Sequence, residues 1–237
     1  MLRTILPGGL SVAETYEDTP DATLYPEEEA VIAPAVDKRR LEFTTVRHCA
    51  RRAMAELGVP PAPLVPGVRG APQWPGGVVG SMTHCVGYRA AVVGLASEFR
   101  SVGVDAEPHG ALPEGVLDAI ALPAEHERHE SLRRERPEVH WDRLLFSAKE
   151  SVYKAWFPLT GRWLAFEEAD IVIDPGGSFE ARLLVPGHTT SGDPLTGFTG
   201  RWLVGSGLVR TAIAVLAPAH TPGRVSRTAG QPPATAS

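Results

Sequence analysis

"VGVDAEPH" (residues 102–109) is the stretch on which the reading of this chain turns. Val102 and Val104 alternate as in a half-buried strand, the other face offers Asp105, and Glu107 follows two residues on. Carboxylates are scarce in strands, and two on one side of a strand repel unless a positive group lies between them. The pattern predicts a strand with a charged centre at its end.

Outward from this stretch, the chain reads as helix then strands, twice. Upstream, "PEEEAVIA" (26–33) opens a helix with acids in its first turn, which suits the helix dipole, and Pro34 kinks or ends it. From about Val36 to Leu57, Val46, Cys49, Ala50, Ala53 and Leu57 form one apolar stripe of helical period. Gly58, Pro60 and Pro61 stop that helix, and residues 60–77 read as loop. "GVVGSMTHC" (77–85), "YRAAVVGL" (88–95) and "RSVGVDAE" (100–107) read as strands.

Downstream, helical patterns at about 113–135 and 141–157 precede four further strand patterns. These are "ADIVID" (169–174), "FEARLLV" (179–185), "TGRWLVG" (199–205) and "GLVRTAIAVL" (207–216). The expected fold is α+β, with two similar, pseudo-duplicated halves, 26–108 and 109–217, meeting near Pro108 to Leu112. Residues 1–25 read as an irregular lead-in, and 218–237 carry the composition of a disordered tail.

Composition narrows the function classes. A chain of 237 residues with 43% hydrophobic content fits a soluble globular protein. The longest uncharged apolar run, "AAVVGLA" (90–96), falls far short of the roughly 20 residues a membrane helix needs. "MLRTILPGGLSVAET" is a poor export signal, its apolar patch broken by Pro7, Gly8 and Gly9, so a cytoplasmic protein with no membrane contact is expected. The net charge of -5 argues against non-specific nucleic-acid binding. Cys49 and Cys85 support neither a disulfide framework nor zinc spacing, and read as reduced thiols. His84 and Cys85, adjacent in an extended segment, point to opposite faces and form no nucleophile–base pair.

Lysine usage is more informative. Of 23 basic residues only Lys38, Lys149 and Lys154 are lysines, and two of them lie in "FSAKESVYKAWF" (146–157). At helical spacing, Phe146, Ala148, Val152, Tyr153, Ala155, Trp156 and Phe157 fill an apolar arc, and Ser147, Glu150, Ser151 and Lys154 share the opposite side. Lys149 falls inside the apolar arc, where an ammonium needs a partner. Glu150 and Lys154 read either as an i,i+4 surface pair or as functional groups. Asp105, Glu107 and Glu150 together make three hard oxygen ligands, which suit Mg²⁺ or Mn²⁺ rather than zinc. Arg40, Arg47 and Arg51, flanked by Lys38, Arg39 and Arg52, read either as a solvated basic face or as an anion site.

Taken in order, "KRRLEFTTVRHCAR" (38–51), "GSMTHC" (80–85), "VGVDAEPH" (102–109), "FSAKESVYKAW" (146–156) and "GRWLAFEEADI" (161–171) resemble the 4′-phosphopantetheinyl transferases of the surfactin/enterobactin-synthetase type. The resemblance implies an enzyme of the holo-[acyl-carrier-protein] synthase class, with coenzyme A bound in the cleft between two halves. It implies Mg²⁺ held by Asp105, Glu107, Glu150 and the backbone at Ala106, and contacts from Arg39, Arg47 and His84 to the 3′-phosphate and pyrophosphate. Lys149 and Lys154 would neutralise the diphosphate, Glu150 and Lys154 would carry the catalysis, and Thr83 and Asp105 would belong to the coenzyme A site.

Pro66, Gly67, Val68 and Arg69 would lie against the adenine, and Leu164 against the pantetheine arm. Relatives often carry Lys where this chain has Pro66, and Arg69 is the nearby candidate to replace it. The expected partners are apo-carrier proteins, acyl or peptidyl, serving fatty-acid, polyketide or non-ribosomal peptide synthesis, siderophores included. A monomer is expected by family analogy. A non-catalytic coenzyme A-binding regulator on the same scaffold and a metal-dependent nuclease are the alternatives.

Overall fold

Two twenty-residue helices, each pressed onto its own sheet, frame the molecule in a computed structural model that describes residues 1–218. The first half holds β1 (Ser11–Thr15), α1 (Pro26–Ile32), α2 (Asp37–Glu56), β2 (Val78–Cys85) and β3 (Tyr88–Leu95). The second holds β4 (Phe99–Pro108), α3 (Val116–Ile120), α4 (Pro123–Glu135), α5 (Trp141–Thr160), β5 (Ala169–Asp174), β6 (Ser178–His188), β7 (Pro194–Gly205) and β8 (Leu208–Leu216). The sheet orders are β1-β3-β2 and β4-β8-β7-β6-β5, with every pairing antiparallel.

Local chemistry sets the ends of these elements. The α5 helix stops at Gly161, whose φ of 66° is the left-handed conformation that favours glycine. β7 and β8 are joined through Ser206 and Gly207, both at positive φ, the two-residue turn that matches strand twist.

Alternation along β3 and β4 builds the layers. Ala91 and Val93 face α2 through Cys49, Ala50, Ala53 and Met54. Tyr88, Ala90 and Val92 face the other way, onto Val102, Val104 and Ala106 of β4. On the far side of β4, α5 rides directly over Gly103, where a Cβ would lie 2.1 Å from the Ser151 carbonyl oxygen. Ser147 and Ser151, expected on a polar side of α5, are fully buried there, and both hydroxyls bond Thr211 Oγ1 at 2.9 and 2.6 Å. Hydroxyl pairing lets two serines face a sheet without stranding a polar group.

The two-half α+β architecture agrees with expectation, with two corrections. The lead-in over 1–25 contains a 3₁₀ turn at Leu2–Ile5 and strand β1, which pairs with β3 from Ser11↔Val93 to Thr15↔Arg89. The boundary expected at 108/109 moves upstream, because β4 hydrogen-bonds β8 and so belongs to the second sheet. From residue 219 on, the expected tail lies outside the described residues. Among the described residues no helix is long and apolar enough to cross a membrane.

Candidate active site

The two sheets meet edge to edge at β2 and β4, and side chains stitch the seam. Val104 N donates to Ser81 Oγ and Ala106 N to Thr83 Oγ1, both at 3.1 Å, so the outward amides of β4 are satisfied without a backbone ladder. Over this seam, between α2 and α5, opens a cleft of about 780 Å³, a volume typical of small-molecule sites. Arg39 and Arg47 of α2, His84 of β2, and Glu150 and Lys154 of α5 line it.

On the α5 side, Lys154 Nζ lies 2.7 Å from Asp105 Oδ1 and 3.1 Å from the Val104 carbonyl. Lys154 is therefore the positive partner of Asp105. Thr83 Oγ1 also donates to Asp105 Oδ1, at 3.3 Å, while Asp105 Oδ2 is buried with no hydrogen-bond partner. Glu107 has a separate cation, Arg143, whose Nη1 reaches Oε2 at 3.0 Å. The same guanidinium donates to the Gly110 and Ala111 carbonyls, pinning the chain after β4. Burial pushes the Glu107 carboxyl above its ordinary range, and the charge of Asp105 adds to this against the pull of Arg143. Burial likewise raises Glu150, with Lys154 opposing and Asp105 adding. A carboxylate raised in this way holds a proton more readily, as a general base requires.

Among the described residues, no three His, Cys, Asp or Glu side chains gather at metal-holding spacing. The single ion expected between Asp105, Glu107 and Glu150 has no ready-made cage, because protein cations already stand on the first two. The orphaned, buried Asp105 Oδ2 nevertheless fits a hard cation that takes one or two carboxylates and completes its shell from substrate oxygens.

On the α2 side, Arg39 Nη1 donates to His84 Nε2 at 2.5 Å, and His84 Nδ1 lies 3.8 Å from Glu42. Burial and then Arg39 lower the His84 pKa, so the ring accepts from the guanidinium as neutral imidazole. Arg47 is buried, and donates through Nε to the Leu64 carbonyl at 2.8 Å and through Nη1 to the Phe43 carbonyl at 3.3 Å. Desolvation brings its pKa down to about 10, with Glu28 opposing, so it stays charged at neutral pH.

Lys149 does not face this cleft with its charge. Its ammonium is 2.9 Å from Glu125 and donates to the Phe166 and Ala169 carbonyls, with about 1% of the side chain exposed. An ammonium has three protons, all three are used, and none is left for a diphosphate. Pro66 and Arg69 line the cleft, whereas Gly67 and the exposed Val68 do not. Arg69, held at φ 56°, stacks its guanidinium 5.0 Å from the Trp163 ring and so joins the two halves at the mouth of the cleft. Leu164 lines a smaller cavity of about 170 Å³, which shares Glu150 and Tyr153 with the main cleft. Asp105, Ala106 and Glu107 do not line the main cavity; Asp105 reaches it through Lys154.

Sequence reading passed over Ser81, Arg143 and Trp163. None stands out by type or spacing, and their roles arise from a seam and a cleft mouth that only the tertiary structure creates.

Comparison with known proteins agrees with this division. Residues 27–94 match the model of the 4′-phosphopantetheinyl transferase N-terminal domain, and 101–197 that of the 4′-phosphopantetheinyl transferase superfamily. The gap between the matches coincides with the crossing into β4. The chain is 55% identical to the 4′-phosphopantetheinyl transferase Svp of Streptomyces mobaraensis, over 98% of this chain and 96% of that protein. It is 55% identical to PptT of Mycobacterium tuberculosis, over 90% of this chain and 97% of that protein. Enterobactin synthase component D of Salmonella typhi is 34% identical over 50% of this chain and 49% of its own length. Near-complete coverage of the first two relatives, together with a match on each half, shows that the chain belongs to the 4′-phosphopantetheinyl transferase family.

Proposed function

We infer that this chain transfers the 4′-phosphopantetheine group of coenzyme A to a serine of an apo-carrier protein, acyl or peptidyl, with release of 3′,5′-ADP. One observation carries the reading. A carboxylate of raised pKa, Glu150, stands beside the fixed Lys154–Asp105 pair in a cleft whose other wall carries Arg39, Arg47 and His84.

In this reading the α2 wall grips the nucleotide phosphates, Arg offering paired donors to phosphate oxygens. The carrier serine oxygen attacks the phosphorus bearing the pantetheine, and the bond from that phosphorus to the bridging oxygen breaks. Glu150 takes the serine proton, directly or through a water. Lys154, steadied by Asp105 and the Val104 carbonyl, offers its remaining proton to the charge growing on the departing 3′,5′-ADP. Mg²⁺ or Mn²⁺, held by Asp105, Glu107, Glu150 and the backbone at Ala106, would neutralise pyrophosphate charge when bound. Leu164 and its small cavity suit the apolar part of the pantetheine arm. Holo-[acyl-carrier-protein] synthase activity, a monomeric state, a cytoplasmic location and no nucleic-acid or membrane partner complete the reading.

The test is to incubate the protein with coenzyme A, Mg²⁺ and an apo-carrier, then weigh the carrier. A gain of one phosphopantetheine per serine is expected. An unchanged carrier alongside tight coenzyme A binding would replace the transferase with a non-catalytic coenzyme A-binding protein.

A further inference from the structure

Each half contains the same buried device. In α1, Pro26 opens the helix and Glu28 takes the Tyr25 amide at 2.9 Å; in α4, Pro123 opens the helix and Glu125 takes the Leu122 amide at 2.7 Å. The second oxygen of each carboxylate accepts a distant backbone amide at 2.7 Å, from Leu64 in one half and Ile171 in the other. Each then pairs with a cation on the long helix of its half. Arg51 of α2 lies 3.0 Å from Glu28, and Lys149 of α5 lies 2.9 Å from Glu125. Both glutamates are essentially inaccessible, at 0% and 2% exposure.

The two copies part company one helical turn earlier. Four residues before Lys149 stands Leu145, a core side chain; four residues before Arg51 stands Arg47. Arg47 Nε lies 3.8 Å from Glu28 Oε1 and donates to the carbonyl of Leu64, the residue whose amide Glu28 holds. Its guanidinium carbon is 3.1 Å from the Phe43 ring centroid, and among the described residues its Nη2 has no hydrogen-bond acceptor. The guanidinium is thus fixed at one edge and free at the other, beside the cleft it lines.

We propose that Glu28 is a positioning residue that aims Arg47 into the cleft for phosphate, whereas Glu125, its counterpart, only holds its own half together. Glu28 acts in two ways. It anchors Leu64, so that the carbonyl receiving Arg47 Nε is fixed. It also supplies the negative charge that lets Arg47 and Arg51 lie close together out of water. The proposal rests on the coenzyme A reading of the cleft.

The test compares Glu28→Gln with Glu125→Gln, using 3′,5′-ADP as the binding probe in calorimetry and coenzyme A with an apo-carrier in kinetics. Both variants should melt at a lower temperature. Only Glu28→Gln should weaken 3′,5′-ADP binding and raise KM for coenzyme A, each about tenfold, with kcat within about threefold. Introduced into an Arg47→Met background, Glu28→Gln should weaken binding no further. Should Glu28→Gln fail to fold, Glu28→Asp keeps the charge on a shorter arm and should raise KM about threefold with kcat unchanged. Unaltered affinity in a folded Glu28 variant, or equal losses in both glutamine variants, overturns the proposal. A wild-type protein that binds neither 3′,5′-ADP nor coenzyme A overturns the reading of the cleft itself.

Discussion

The α2 and α5 helices match in length, in lying across a sheet and in the buried glutamate that anchors them, yet their cleft-facing groups differ in kind. On α2 these are guanidiniums, Arg39 and Arg47, steadied by His84, Glu28 and a backbone carbonyl. On α5 they are a carboxylate and an ammonium, Glu150 and Lys154, steadied by Asp105 of β4. The two halves share the buried glutamate that braces each long helix and differ in the charged groups that overlook the seam. In the proposed reading one wall binds anions and the other moves a proton next to charge.

Removing Asp105 should damage the α5 wall most. Asp105→Asn withdraws the charge beneath Lys154, and transfer should drop about 10²- to 10³-fold, with 3′,5′-ADP affinity much less affected. Steady-state rates with a carrier substrate measure the first quantity, and calorimetry the second. A nucleotide-binding loss as large as the rate loss would erase the distinction between the walls.

The contact of α5 with β4 is the tighter helix–sheet packing. Gly103→Ala pushes a methyl into the Ser151 carbonyl and should cost about 2 to 3 kcal/mol, read by denaturant unfolding. A variant as stable as wild type would show that α5 does not rest on that residue as closely as described.

The pH profile sharpens the comparison further. In the proposed reading the base is deprotonated Glu150, and without a bound metal, burial holds its pKa above the ordinary glutamate value. As pH falls through that raised value the carboxylate takes up a proton, so in the metal-free protein its NMR titration should be centred above the usual glutamate value of about 4.3. Lys154→Gln removes the cation that lowers Glu150, and that midpoint should move to still higher pH. A midpoint that stays in place would separate the two groups.

The smallest effect belongs to the rim. Val68 is 74% exposed and outside the cleft lining, so Val68→Ala should alter KM less than about twofold. A larger change would bring that position back into the adenine contact.

The long helices, the strands flanking "VGVDAEPH" and the residues of both walls were legible in sequence because periodicity and residue type are local properties. β1 was not, since "SVAET" has no strong alternation and becomes a strand only by pairing with β3. The sheet to which β4 belongs depends on a partner about a hundred residues away. Lys149 stood out correctly as an ammonium needing a partner, but that partner, Glu125, sits on a separate helix and no spacing rule connects the two. Glu28 was visible only as one of three acids in a first helical turn, a pattern that the helix dipole explains equally well on a solvent-exposed surface.

The division of labour between the walls meets its most direct test in single-turnover transfer at saturating coenzyme A, followed by the mass of the carrier. Arg47→Ala should then approach the wild-type rate to within about threefold, while Glu150→Gln, still binding coenzyme A, should remain at least about a hundredfold slower. Equal rates in the two variants, or full transfer by Glu150→Gln, would contradict the account.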